Sequence, residues 1–210
     1  MSSGSLVTTA WPRSRAYRAT ETSITSATPV AAHRAPTRIA GPAVIVGHSG
    51  GGGTALGLAL SDPVRVAALV LISPGVPDYP WPQDDPYIGE FVKLFAAGDR
   101  EGPVRLGLAT WAPAGEDAAV TAEIRAAVAA FLTVGDLEQP NPPAFDRLSE
   151  VRAPAVMVRG DREYPMVADC ADTIASRIRG ARRIVIPGTD HMLPLRASGR
   201  LAEIIAERAA

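Results

Sequence analysis

The 210-residue sequence predicts an α/β fold: a mostly parallel sheet with flanking helices and one helical insertion. Three observations carry this reading. Four short, continuous apolar runs recur after residue 40, and helical patterns lie between and after them. The long interval 76–152 holds helix patterns but no good strand. Continuous rather than alternating apolar strands imply burial on both faces, as in a parallel sheet.

Residues 1–40 come first and read as an irregular arm, rich in Ser, Thr, Ala and Arg with no sustained period. The arm carries five arginines against one acid, Glu21, within a chain whose net charge is only -1. That overall balance gives no reason to expect nucleic acid or an anionic membrane as partner. Hydrophobic content of 47% and a mean hydropathy of +0.09 fit a soluble globular protein. No apolar run reaches the ~20 residues of a membrane span, and no secretory signal is evident. The single cysteine, Cys170, cannot form an internal disulfide and sits at helical spacing with Val167, Ile174 and Ile178, as a buried inert thiol would. A cytoplasmic location is expected.

Residues 41–210 read as one domain. "AVIV" (43–46) is the first strand, and "TALGLAL" is a helix that stops near Asp62-Pro63. "AALVLI" (67–72) is the second strand. In the insertion, Ile88, Phe91, Val92 and Phe95 form one helical stripe and Val104, Leu108 and Trp111 a second. Val120, Ile124, Val128, Phe131 and Leu132 form a third. Such an insertion covers the strand ends as a lid, and most of its aromatics are expected to fill the lid's own core. "AVMV" (155–158) and "RIVI" (183–186) are the last strands, separated by the helix of Val167, Cys170 and Ile174 and followed by a helix over 197–209.

Between the first strand and its helix stands Gly47-His48-Ser49-Gly50-Gly51, a G-x-S-x-G pattern. The chemistry needs this composition because a serine on a sharp strand-to-helix turn leaves no room for neighbouring side chains. The helix that starts there points free N–H groups at a developing oxyanion, and Gly50 is the identifiable donor. A phosphate loop would need Gly-Lys-Ser/Thr, and the only lysine is Lys93. Gly50, Gly52 and Ala55 also satisfy G-x-G-x-x-A, but the next strand ends "LVLISPG" without the acid that a dinucleotide's ribose requires.

A serine nucleophile needs a base and the base an orienting acid. His33 lies in the arm and His48 inside the turn, with its side chain expected to point into the fold. His191 follows the last strand, in a loop from which an imidazole reaches across the strand ends. The acid is expected after the preceding strand, where "RGDREYP" offers Asp161 and Glu163. Glu163, three residues past the glycine, clears the turn and is favoured; Asp161 is the alternative. No cofactor or metal is expected.

The order Ser49, Glu163 or Asp161, His191, with "GHSGG", "GDRE" and "GTDH" each after a strand, resembles the α/β-hydrolase superfamily over residues 41–210. The stretch "AAGDREGPVRLGLATW" is similar to caps of enol-lactonase and esterase-type hydrolases. The resemblance implies a Ser-acid-His triad acting on an ester, lactone or related small acyl substrate, with His48, Trp81 and Trp111 among the residues that contact it. Trp81, Trp111, Phe91 and Phe131 suggest that this substrate is largely apolar. A serine at the elbow argues against relatives with an aspartate nucleophile, such as haloalkane dehalogenases and epoxide hydrolases. The family places four strands before this elbow, whereas 46 residues precede Gly47 here. The chain is therefore expected to lack the N-terminal strands and the first oxyanion loop, to leave the edge of residues 43–46 open to self-association, and to be weakly active or inactive alone. The other readings are a non-catalytic or incomplete hydrolase-fold protein acting through association, and a dinucleotide-binding protein.

Overall fold

The computed structural model describes residues 41–76, 78–133 and 143–209, with side chains omitted for 131–133. The arm expected over 1–40 lies outside the described residues. Four strands form one sheet in the order β1 (Ala43–His48), β2 (Val66–Ile72), β3 (Ala155–Gly160), β4 (Arg182–Ile186), and every neighbouring pair is parallel. All four expected strands are present, each longer than its apolar run by one or two residues. The connections are α1 (Gly51–Ser61) between β1 and β2 and α5 (Pro165–Arg177) between β3 and β4. After β4 come the short α6 (Leu193–Arg196) and α7 (Ser198–Ala209). Between β2 and β3 the insertion forms α2 (Pro86–Ala96), α3 (Gly102–Trp111) and α4 (Ala118–Thr133).

The apolar runs of the central strands β2 and β3 follow from a sheet covered on both sides, whereas β4, an edge strand, departs from that expectation: none of its residues is buried and Val185 is 37% exposed. Successive side chains on a strand point to opposite faces. Ile45, Leu69, Leu71 and Met157 pack with α1, α5 and the cap helices, while Val46, Val70, Ile72, Val156 and Val158 pack against Leu193, Leu201 and Ile204. Truncating a fully buried leucine such as Leu56 or Leu71 to alanine costs about 2–5 kcal/mol.

The cap is continuous with this core. Asp85 caps α2 by accepting from the Ile88 N–H (3.2 Å), with Pro86 in the first turn. Phe91, Trp111, Val120 and Ile124 are all buried in the same apolar cluster as the sheet's inner face, so the cap's aromatics are largely core, as the patterning predicted. The first stripe is narrower than expected. Phe91 is buried, but Val92 and Phe95 are 48% and 51% exposed, because α2 packs along its Tyr87–Phe91 side alone. Among the described residues, no helix is long and apolar enough to cross a membrane.

Candidate active site

Because the strands are parallel, their C-terminal ends share one edge: His48 pairs with Ile72, Ile72 with Val158 and Gly160 with Ile186. Ser49 is the first residue past β1. It holds a φ of +54°, a conformation that L-residues rarely adopt, and its N–H donates to the Ile72 carbonyl (3.0 Å). Its own carbonyl accepts from the N–H groups of Gly52 (2.9 Å) and Gly75 (2.8 Å), which fixes the turn from both sides. The glycine before it is required by contact. A Cβ on Gly47 would collide with the carbonyl of Gly51. Gly50 lies at the N-cap of α1, where no side chain caps the helix, and its N–H has no acceptor among the described residues.

Glu163 and His191 meet in the next layer. The His191 Nδ1 lies 3.0 and 3.1 Å from the two Glu163 oxygens, and the Tyr164 N–H donates to Glu163 Oε1 at 2.8 Å. Burial alone pushes the Glu163 carboxyl up, but the charge of His191 and the bonds from His191, Ser73 and the Tyr164 N–H outweigh it and hold the group below the usual carboxylate range. An ionised Glu163 can only accept, so Nδ1 carries the proton and Nε2 of a neutral His191 keeps its lone pair. Ser73, the first residue past β2 and also at positive φ (+40°), lies against that carboxylate. Asp161 sits elsewhere: exposed, with its N–H donated to the Ile186 carbonyl (3.3 Å), it is the turn residue and does not reach the imidazole.

His48 points at the same loop. Its Nε2–H donates to the His191 carbonyl (3.0 Å), and the two rings stand 4.9 Å apart. Burial, then the like charge of His191, lower the His48 pKa to about 3, so it is neutral and acts as a donor. The Trp111 ring stands edge-on to His191 at 4.8 Å and also meets Tyr87 and Tyr164. Trp81 does not join this group. Its indole N–H donates to the Val76 carbonyl (2.8 Å) and its ring packs on Tyr79. Of the two remaining aromatics expected near a substrate, Phe91 is core and the Phe131 side chain lies outside the described residues. A cleft of about 900 Å³ lies apart from Ser49, Glu163 and His191, none of which lines it; Tyr87, Ile88, Leu106 and Tyr164 are joined there by the carboxylates of Asp85 and Glu90.

Ser49 and His191 are only 3% and 2% exposed beneath the cap. Sequence reasoning missed Ser73 and Tyr164, which touch the Glu163 carboxylate. One signal was available: Ser73 follows "LVLI" as Ser49 follows "VIVGH", each just past a strand. Among the described residues, no group of three or more His, Cys, Asp or Glu side chains is placed to hold a metal ion.

The chain matches the model of the alpha/beta hydrolase family over residues 4–204, which extends the likeness beyond the span 41–210 that the motifs alone carry. No curated protein matches it by sequence. Among solved structures it is similar to the enol-lactonase from Burkholderia xenovorans, at 16% identity and a TM-score of 0.63, covering 92% of this chain and 78% of that one. It is also similar to an N-acyl homoserine lactone degrading enzyme, at 20% identity and a TM-score of 0.62, covering 97% of this chain and 93% of that one. A serine hydrolase involved in carbazole degradation shares 19% identity and a TM-score of 0.59, covering 82% of this chain. The chain spans only 65% of that hydrolase's length. At these identities the likeness is one of fold.

Proposed function

The chain belongs to the alpha/beta hydrolase family, and from that premise we propose that it is a serine hydrolase of small carboxylic esters or lactones. The observation that carries the reading is the buried Glu163–His191 pair at the same sheet edge as a serine held at positive φ on a strand-to-helix turn. In this reading Ser49 Oγ attacks the acyl carbonyl carbon while His191 Nε2 takes the hydroxyl proton. Glu163 stays ionised and stabilises the imidazolium through Nδ1. The Gly50 N–H donates to the oxyanion as the tetrahedral adduct forms. Collapse breaks the acyl–oxygen bond, and the leaving oxygen takes the proton from Nε2. Water, deprotonated by His191 in turn, then attacks the acyl carbon, and as the Ser49 Oγ–acyl bond breaks, Oγ takes the proton back from Nε2 and the acid is released.

In this reading the substrate is a small acyl compound with an apolar body, and His48 and Trp111, whose rings stand against His191, lie close to the reacting group. Turnover of p-nitrophenyl butyrate and of a γ-lactone, reduced by at least about 10³-fold in Ser49→Ala, is the expected result. Undiminished turnover in that variant would overturn the proposal. So would an absence of both turnover and Ser49 labelling by a fluorophosphonate, which would favour a non-catalytic member of the family.

A further inference from the structure

Next to His191 lies a carboxylate that the proton relay does not use. Asp190 is fully buried; one of its oxygens bonds to the cap turn and the other to its own loop. Oδ2 accepts from the Ala114 N–H (2.9 Å); Oδ1 accepts from the Met192 N–H (3.0 Å) and from Arg196 Nε (2.7 Å). The same guanidinium donates through Nη2 to the Gly115 carbonyl. Ala114 and Gly115 form the cap's turn between α3 and α4, whereas Met192 and Arg196 follow His191 directly.

Burying a carboxylate costs several kcal/mol unless its oxygens are fully bonded, so an ordinary core position would carry an apolar residue. Here the charge does something packing cannot. It fastens the cap turn and the His191 loop at a single point. Trp111, whose ring abuts His191, closes α3 three residues before Ala114, so displacement of the turn is transmitted to the imidazole's own wall. His191 is almost wholly covered and Trp111 of the cap is part of that cover, so on the proposed function substrate reaches it when the cap parts from this loop.

We propose that Asp190, with Arg196 as its counter-ion, is a positioning residue that makes cap closure and placement of His191 one event. The proposal rests on the reading of His191 as the general base. It predicts a specific pattern in the full-length protein for Asp190→Asn, Arg196→Gln and Arg196→Lys. Their kcat and KM would be measured on p-nitrophenyl butyrate, together with thermal midpoints and amide hydrogen exchange of peptides covering 112–117 and 189–196.

In Asp190→Asn, kcat should fall about 100-fold, the scale of a misplacement near 1 Å, with KM changed less than about threefold. Exchange should accelerate in both segments together. Arg196→Gln should show the same pattern in weaker form, and Arg196→Lys should recover most of the loss. Faster exchange in one segment alone would overturn the proposal, as would an unchanged kcat in folded Asp190→Asn. A kcat loss that merely tracks unfolding, with Arg196→Lys no better than Arg196→Gln, would reduce Asp190 to a structural residue. If the unaltered protein turns over no ester, the hydrolase reading fails, and the joint or separate exchange of the two segments still decides the coupling.

Discussion

Acidification should weaken the fold through His48 before any carboxylate contributes, and His48→Gln should remove that effect. The ring is neutral in the folded protein because burial, then the like charge of His191, bring its pKa from 6.5 to about 3. Once unfolded, the imidazole titrates near its ordinary value. Between those two values the unfolded chain binds the extra proton. Stability therefore rises with pH across the window and is lost as pH falls through it. At pH 5 the ordinary pKa is about 1.5 units above the solution, which amounts to about 2 kcal/mol as a ceiling, since part of His48 stays accessible. For a chain of this size that is a drop of about 4–8 °C in Tm. Glu163 works in the same direction, but its carboxyl is held below 4.5, so its share is lost only at lower pH. Glutamine keeps an N–H for the His191 carbonyl and removes the titration. Thermal melts at pH 7.5 and 5.0 should show the unaltered protein losing about 4–8 °C more than His48→Gln between the two conditions. Equal losses in the two proteins would refute the reasoning.

Glu163→Gln should lower kcat by on the order of 10⁴ because the amide can hold the wrong imidazole tautomer, whereas Asp161→Asn should change it little; steady-state kinetics on one ester compare them. Gly160→Ala places a Cβ against the Thr189 carbonyl and 2.9 Å from the Asp190 N–H, so the His191 loop must move. A stability loss of about 1–3 kcal/mol by urea titration, with reduced kcat, is expected. Cys170 is fully buried and its thiol is pushed up to about 12, chiefly by burial, so Ellman's reagent should react only as the protein unfolds.

Much of this architecture was legible because burial leaves a plain trace in the central strands β2 and β3, and the edge strand β4 carries an apolar run although none of its residues is buried. The G-x-S-x-G turn was legible for a related reason, since close backbone contact at Gly47 tolerates no side chain. The choice of Glu163 over Asp161 followed from register after β3, and the structure brings Glu163 to His191. What sequence could not supply was the set of residues whose role depends on distant neighbours. Asp190 reads as a turn residue until Ala114 is seen above it. His48 points into the fold as expected, but its partner there, the His191 carbonyl, lies 143 positions away. Trp81 looked like a substrate contact, but its indole N–H is committed to Val76. Val92 and Phe95 matched a helical stripe, although a helix packed along one side buries only part of such a stripe.

The order of the strands also bears on how the protein is made. The His48–His191 hydrogen bond joins residues 143 positions apart, and β2 finds β3 only after the whole cap has been synthesised. Such non-local pairing slows folding, since loop-closure entropy is lost before any contact rewards it. The Ser49 turn therefore emerges from the ribosome long before the Glu163–His191 pair can form. Under the proposed function, Ser49 stays an ordinary alcohol until the last strand and the loop after it have been made.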